Sequence, residues 1–170
     1  MKISFPRFSK HYYEVNNWLF FQNCGITPMQ GQATRFLRYA PERMEYPLSR
    51  YQNEVRRLYR VLDKQLCSSE SGYLVGDRCT IADIAHWGWI TSAFWAGIDI
   101  EDFPHLKEWD ARMLRRDGVE KGRHVPDRHF MKELSQDEAA MVEAEKINSQ
   151  WILQAQERLK HQMAQSTAKR

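Results

Sequence analysis

Cys79-Thr80-Ile81-Ala82-Asp83-Ile84-Ala85-His86-Trp87-Gly88-Trp89 is the stretch on which the reading of the fold turns. Thr80 stands where an N-cap hydroxyl accepts a backbone N–H from the first helical turn, that of Asp83. Asp83, three residues on, is placed to return its carboxylate to the Thr80 N–H, a capping box with Asp in the place of Glu. Cys79 and Ile84 flank it at the positions of a hydrophobic staple. The segment beyond, to about Ala96, is apolar on nearly every face, the composition of a helix buried inside a bundle. Thr80 and Asp83 are therefore read as structural, and Asp83 receives no catalytic role.

On both sides of this stretch helical periodicity recurs and strand signals are scarce. Upstream, Tyr12, Val15, Leu19 and Phe20, with Trp18 beside them, fall at helical spacing over Tyr12 to Gln22, and Gly25 and Pro28 are expected to end that helix. A shorter piece fits Pro28 to Arg38, before a turn at Ala40–Pro41. Pro47 suits the first turn of the next helix, where its missing N–H costs nothing. Leu48, Tyr51, Val55, Leu58, Leu62 and Leu66 then recur every three or four residues, opposite Arg50, Glu54, Arg57 and Lys64. The stretch from Ser68 to Arg78 reads as a loop. Pro104 opens a helix to Arg116, and a helical turn fits Val119 to Gly122. From Ser135, the stripe Met141, Ala144, Ile147, Trp151, Ala155, Leu159 and Met163 predicts one long amphipathic helix packed on the domain or on a partner.

Composition narrows the function classes. The 170 residues are 42% hydrophobic and 12% aromatic, with six Trp, which excludes a disordered chain. Formal net charge is +3, and the last 36 residues balance five bases with five acids, so no basic stripe for nucleic acid stands out. No apolar run approaches the roughly 20 residues of a membrane span, and no apolar stretch comes after Lys2 as in a signal peptide. Cys24, Cys67 and Cys79 are odd in number without CxxC spacing, which fits a reduced, cytoplasmic protein.

Two motifs carry a resemblance. Gly76-Asp77-Arg78-Cys79-Thr80-Ile81-Ala82-Asp83 looks like the G-x-x-x-[ST]-x-A-D segment of the C-terminal domain of cytosolic glutathione transferases. Asn16-Asn17-Trp18-Leu19-Phe20-Phe21-Gln22, Gly25, Pro28-Met29-Gln30-Gly31-Gln32, Tyr46-Pro47 and Arg50-Tyr51 are similar to the fungal and bacterial class that includes the yeast nitrogen-catabolite regulator. The resemblance spans roughly Phe5 to His129. It implies an all-α fold, a glutathione S-transferase C-terminal-like helical bundle with an added C-terminal helix. It divides the chain into a linker-like N-terminus (1–8), the helical domain (9–130) and an amphipathic C-terminal helix (131–170). In the family, a thioredoxin-like domain of about eighty residues precedes this one and holds glutathione. Met1 leads at once into linker-like Lys2-Ile3-Ser4-Phe5-Pro6, so no thioredoxin-like domain is expected here. Glutathione is the cofactor the resemblance implies, yet the isolated chain is not expected to bind it.

Each candidate site residue has a structural alternative. Asn16, Asn17, Gln22, Gln30 and Gln32 crowd neutral amides beside aromatics, and in the family the first helix of this domain faces the electrophile pocket. Asn17, Phe21, Gln22 and Gln30 read as substrate-binding, with Trp18 and Leu19 packing on the other side; the same amides equally suit helix ends and loop backbone. Arg50 looks like the arginine that reaches across the dimer toward glutathione on the other subunit, or else it is a solvated helix-face charge. Phe20, Phe21, Trp87, Trp89, Phe94 and Trp95 supply pocket walls or core. Cys24 reads as a small core residue and His86 as a core histidine. His124 and His129, on either side of Pro126, lack metal-ligand spacing, and no metal is expected.

Two functions from different classes remain. One is an enzyme of the transferase family acting on or binding a small hydrophobic substrate in fungal secondary-metabolite biosynthesis, either by conjugation with a partner in trans or by glutathione-independent isomerisation or cyclisation. The other is a non-catalytic dimerisation or docking module; a truncated form of a full-length transferase is a third account of the same sequence. A homodimer, or a partner bearing a thioredoxin-like domain, is expected, and neither nucleic acid nor a membrane.

Overall fold

The computed structural model describes residues 3–167, and among these every regular element is helical. The helices are α1 (Lys10–Phe21), α2 (Thr27–Thr34), α3 (Glu45–Cys67), α4 (Ile81–Ile90), α5 (Pro104–Leu114), α6 (Asp117–Gly122), α7 (Met131–Leu134) and α8 (Glu138–Thr167). Short 3-10 turns at Ala93–Ala96 and Ile100–Asp102 join α4 to α5.

The first helix does not end where Gly25 and Pro28 suggested. Helical backbone runs on from Lys10 to Tyr39, with wide π-helical turns at Gln22–Ile26 and Arg35–Tyr39. A proline interrupts an α-helix because its ring meets the carbonyl four residues back. The π turn just before Pro28, with Thr27 N bonded to Gln22 O, inserts the extra residue that relieves this clash. Pro28 then occupies the first turn of α2, where its missing N–H is tolerated.

Helix α3 lies against α2 and α5 and buries Leu48, Val55, Leu58, Tyr59, Leu62 and Leu66 along one side. All of these but Leu48 join Val15, Ile26, Ala33, Leu74, Ile90, Ile98, Leu106, Trp109 and Met113 in one continuous core. The 3-10 turn ends at Gly97 (φ 72°), a left-handed position, and Gln52 Nε2 donates to Ala96 O at 3.0 Å to close it. The N-terminal segment is tied to the start of α4: Ile81 N donates to Ile3 O at 2.9 Å, and the Arg78 guanidinium lies 4.3 Å from the Phe5 ring centre.

Three expectations change on contact with neighbours. Ile84 stays exposed while Cys79 packs beside the Met113 sulfur, so the staple across the α4 start does not form. Cys24 is exposed, because the wide turn that holds it turns its thiol away from the core. Ile147, Trp151, Ala155 and Leu159 face outward on α8, which rests on the domain by Met141, Ala144, Glu145, Ser149 and Ile152 instead. The Met163 side chain lies outside the described residues.

Candidate functional site

The site candidates sit on one long bent helix, so its rotation decides what they can do. Successive residues diverge by about 100° around a helix. Tyr13, Asn17 and Phe20, spaced by four and three, therefore share one stripe, and it is open: Phe20 is 68% exposed. Phe21 turns the other way, with its ring centre 5.3 Å from that of Trp18, edge to face, and 6.4 Å from that of His86, stacked. Asn17 and Phe21 thus do not share the open face; Phe20 stands there, since Phe21 meets Trp18 on its own helix and His86 on α4, while Phe20 has no ring contact among the described residues.

The glutamines are drawn into the core. Gln30 is 2% exposed; its Nε2 donates to Trp89 O at 2.8 Å and its Oε1 accepts from Tyr59 Oη at 2.7 Å. One side chain so ties α2, α3 and α4 together. Burial holds the Tyr59 phenol protonated, well above its ordinary range. Gln22, buried in the π turn, donates from Nε2 to Thr27 Oγ1 at 2.6 Å. Of the four substrate-binding candidates, Asn17 stands exposed, Phe21 is half-buried, and Gln22 and Gln30 face inward. The sequence carried a signal for Gln30: Ile26, Gln30 and Ala33 form one buried stripe at helical spacing.

His86 is fully buried between Trp18 and Phe21. Its Nδ1 donates to Ala82 O at 2.8 Å, which leaves Nε2 as an acceptor with no partner. Burial pushes its pKa down to about 4, against the opposing pull of the Ala82 carbonyl and the Asp83 charge. Burial first, and then the Asp83 charge, push the Cys79 thiol up to about 11, so it is inert. Tyr12, which the helical pattern marks only as one apolar position among several, has a polar setting. Hydrogen bonds with the Asn16 and Arg7 side chains hold its phenol below the ordinary value.

Arg50 projects from the first half of α3 into a recess of about 690 Å³ lined by Met29, Tyr51, Asn53, Glu54 and Arg57. Glu54 and Arg57 pair through two contacts of 2.8 Å, and Arg50 lies 5.9 Å from the Tyr51 ring centre with no ion pair among the described residues. The Arg57 hydrogen bond first, and then the Arg57 and Arg50 charges, hold the Glu54 carboxyl below its ordinary range against the opposing effect of burial. A second recess, about 660 Å³, is lined by Ile90, Phe94, Ile98, Ile100, Asp110 and Ser135 among others. None of the four substrate-binding candidates lines it, although Phe94 belongs to the aromatic set.

At the start of α4 both halves of the expected capping box are present, the Thr80 side chain accepting from the Asp83 N–H, and Thr80 Oγ1 also accepts from Ala82 N at 3.2 Å. Asp83 accepts four hydrogen bonds: from Thr80 N (2.8 Å) and Thr80 Oγ1 (3.0 Å) on one oxygen, and from Leu74 N and Trp109 Nε1 (both 3.0 Å) on the other. His124 meets Glu120 at 3.0 Å and His129 lies against Trp87. Among the described residues no group of three His, Cys, Asp or Glu stands close enough to hold a metal ion, and no helix is long and apolar enough to cross a membrane.

Comparison with known proteins identifies this arrangement. Residues 28–117 match the family model described as Glutathione S-transferase, C-terminal domain. The glutathione S-transferase-like protein gedE of Aspergillus terreus is 38% identical over 130 residues, 70% of this chain and 58% of that protein. The disulfide-bond oxidoreductase YfcG of Escherichia coli is 41% identical over 99 residues, 58% of this chain and 45% of that protein. A glutathione transferase homologue from Lodderomyces elongisporus, crystallised with two glutathiones per subunit, superposes with a TM-score of 0.70 at 38% identity, covering 74% of this chain and 59% of that one. Ure2p in complex with glutathione gives a TM-score of 0.65 at 34% identity, over 69% and 57% of the two chains. The chain spans less than three-fifths of the length of the relatives it matches here.

Proposed function

We propose a function from the premise that this chain belongs to the glutathione S-transferase family, through that family's C-terminal domain. In this reading it is a cytoplasmic transferase-like protein whose helical domain binds a small hydrophobic substrate, in the setting of fungal secondary metabolism. The chemistry is conjugation to glutathione presented by a thioredoxin-like domain in trans, or glutathione-independent isomerisation or cyclisation in a shaped apolar site. The observation that carries the reading is the open stripe Tyr13, Asn17 and Phe20 on α1, apolar with one amide, on the helix that faces the electrophile in the family. Arg50, exposed and without an ion pair among the described residues, would meet a carboxylate of glutathione bound by a second subunit of a homodimer.

A second reading, the non-catalytic docking module, draws on the burial of Gln22 and Gln30. That burial leaves Asn17 as the one amide of the four candidates fully on the surface, and a face so poor in polar anchors also suits a protein partner.

Calorimetry with glutathione, and displacement of an anilinonaphthalene sulfonate probe by hydrophobic electrophiles, test the first reading. Arg50 offers one exposed ion pair, worth about 0–1 kcal/mol. Immobilising a flexible tripeptide costs roughly 4 kcal/mol or more. The expected glutathione affinity of this chain is therefore millimolar or weaker, while the probe binds and Phe20→Ala or Asn17→Ala weakens it. Micromolar glutathione binding would mean that the described residues hold a complete tripeptide site. A probe unaffected by both substitutions favours the docking module.

A further inference from the structure

The recess of about 660 Å³ between the end of α4 and α5 is walled by four parts of the chain. Ile90 and Phe94, four residues apart, run from α4 into the first 3-10 turn, and Ile98 and Ile100 carry the wall on to the second. On the other side α5 presents Lys107, Asp110 and Ala111, one stripe at spacings of three and four. Ser135, just past α7, adds a wall from beyond residues 28–117, the stretch that matches the family domain. Ala93 and Ala111 line the recess from its two sides, and their small side chains leave the space that larger ones would fill. The floor belongs to the core: Ile90 and Ile98 are each 1% exposed. A volume of this size, with an apolar floor and polar groups around it, has the make-up of a small-molecule site and exceeds any ordinary packing void.

We propose that this recess binds a neutral aromatic molecule carrying a hydroxyl group, at a site separate from the open stripe of α1. The floor sets the body of the ligand. Buried isoleucines and the half-buried Phe94 ring offer apolar contact and no hydrogen bond. The polar groups set its charge. Among the described lining residues Lys107 is the cation, and its Nζ is held by Glu101 Oε2 at 2.6 Å. Asp99 accepts from the Glu101 N–H at 3.0 Å, and Asp110 brings a third carboxylate. An acidic ligand would therefore meet carboxylates and a cation already engaged, which disfavours glutathione as it does a sulfonate or a phosphate. An ammonium in turn would give up its hydration above an apolar floor. A hydroxyl suits the lining better, because the Thr91 hydroxyl and the carboxylate oxygens can each accept its proton, and a carboxylate accepts several hydrogen bonds at once. The inference does not depend on the function proposed above.

Methyl NMR of the full chain, with its isoleucine Cδ1 methyls isotope-labelled, tests the site with probes of one ring system: naphthol, naphthoate and naphthylmethylammonium. The expected result is that naphthol shifts the methyls of Ile90, Ile98 and Ile100, with a dissociation constant below about 1 mM. Naphthoate and naphthylmethylammonium should each bind at least about tenfold more weakly. Ala111→Trp fills the recess from α5 and should weaken naphthol binding at least about tenfold while the melting temperature stays unchanged. Absence of any shift at about 1 mM naphthol overturns the proposal. So do shifts confined to other isoleucines, such as Ile81 and Ile84 at the start of α4 or Ile147 on α8, which would place the probe elsewhere. A charged probe that binds as tightly as naphthol overturns the ligand class, and naphthol binding unchanged in folded Ala111→Trp overturns the site. Should Ala111→Trp fail to fold, Phe94→Ala decides in its place: it removes a half-buried wall and should likewise weaken naphthol, and undiminished binding there overturns the site as well.

Discussion

The first turn of α4 and the length of α8 are built on opposite plans. At α4 a fully buried carboxylate accepts four hydrogen bonds from three parts of the chain, with Trp109 and Leu74 closing over it. At α8, a helix of thirty residues, the contacts seen among the described residues are Arg38 with Glu145, Ser149 with the Arg38 carbonyl and a narrow apolar strip, while the broader apolar stripe faces outward. The difference teaches where stability and recognition are divided in this molecule. A side chain whose every bond is taken can hold the bundle together but cannot meet a ligand, and an open Trp can meet a partner but stabilises little.

Asp83→Ala is the hardest test of that contrast. It strands the Thr80 and Leu74 amides, the Thr80 hydroxyl and the Trp109 indole in a dry site, and should cost about 3–5 kcal/mol in chemical denaturation. A cost below about 1 kcal/mol, the range of a simple N-cap, would show that α4 is no more firmly held than α8.

Acid probes the same region through His86. Its folded pKa, near 4, lies below its ordinary 6.5, so the unfolded chain binds more protons between these values. Stability should therefore be complete above about pH 6.5, fall as pH drops toward 4, and level off below, by up to about 3 kcal/mol in total. His86→Phe should flatten that part of the profile. An unchanged slope would place the acid sensitivity elsewhere.

Arg38→Ala carries the smallest effect and sharpens the other side. Partly exposed, the Arg38–Glu145 pair is worth about 1 kcal/mol, so amide exchange in the first half of α8 should speed roughly fivefold. The amides of α4 should not change. Protection lost equally in both helices would mean that α8 folds as one unit with the core.

What was legible in the sequence was local. The three-residue spacing from Thr80 to Asp83 contains the capping pair, because both partners lie within one helical turn. The three-to-four repeat of α3 states which side is buried, because six apolar residues vote for the same side. The family, too, could be read from contiguous segments, since Gly76 to Asp83 and Asn16 to Gln32 keep their residues in order along the chain. Tertiary structure decided the rest. Phe20 and Phe21 differ by one position, and a rotation of about 100° decides which is open. The bends at Gln22–Ile26 and Arg35–Tyr39 that set this rotation depend on what α2 meets in α3 and on the Arg38 contact with Trp95. Gln30 became a core residue because Tyr59 and Trp89, 29 and 59 residues away in sequence, each offered it one hydrogen bond. The outward side of α8 was settled likewise, by Arg38 at a separation of 107 residues from Glu145. A periodic pattern states that a side must be covered; the partner that covers it is chosen across the fold, where spacing along the chain carries no information.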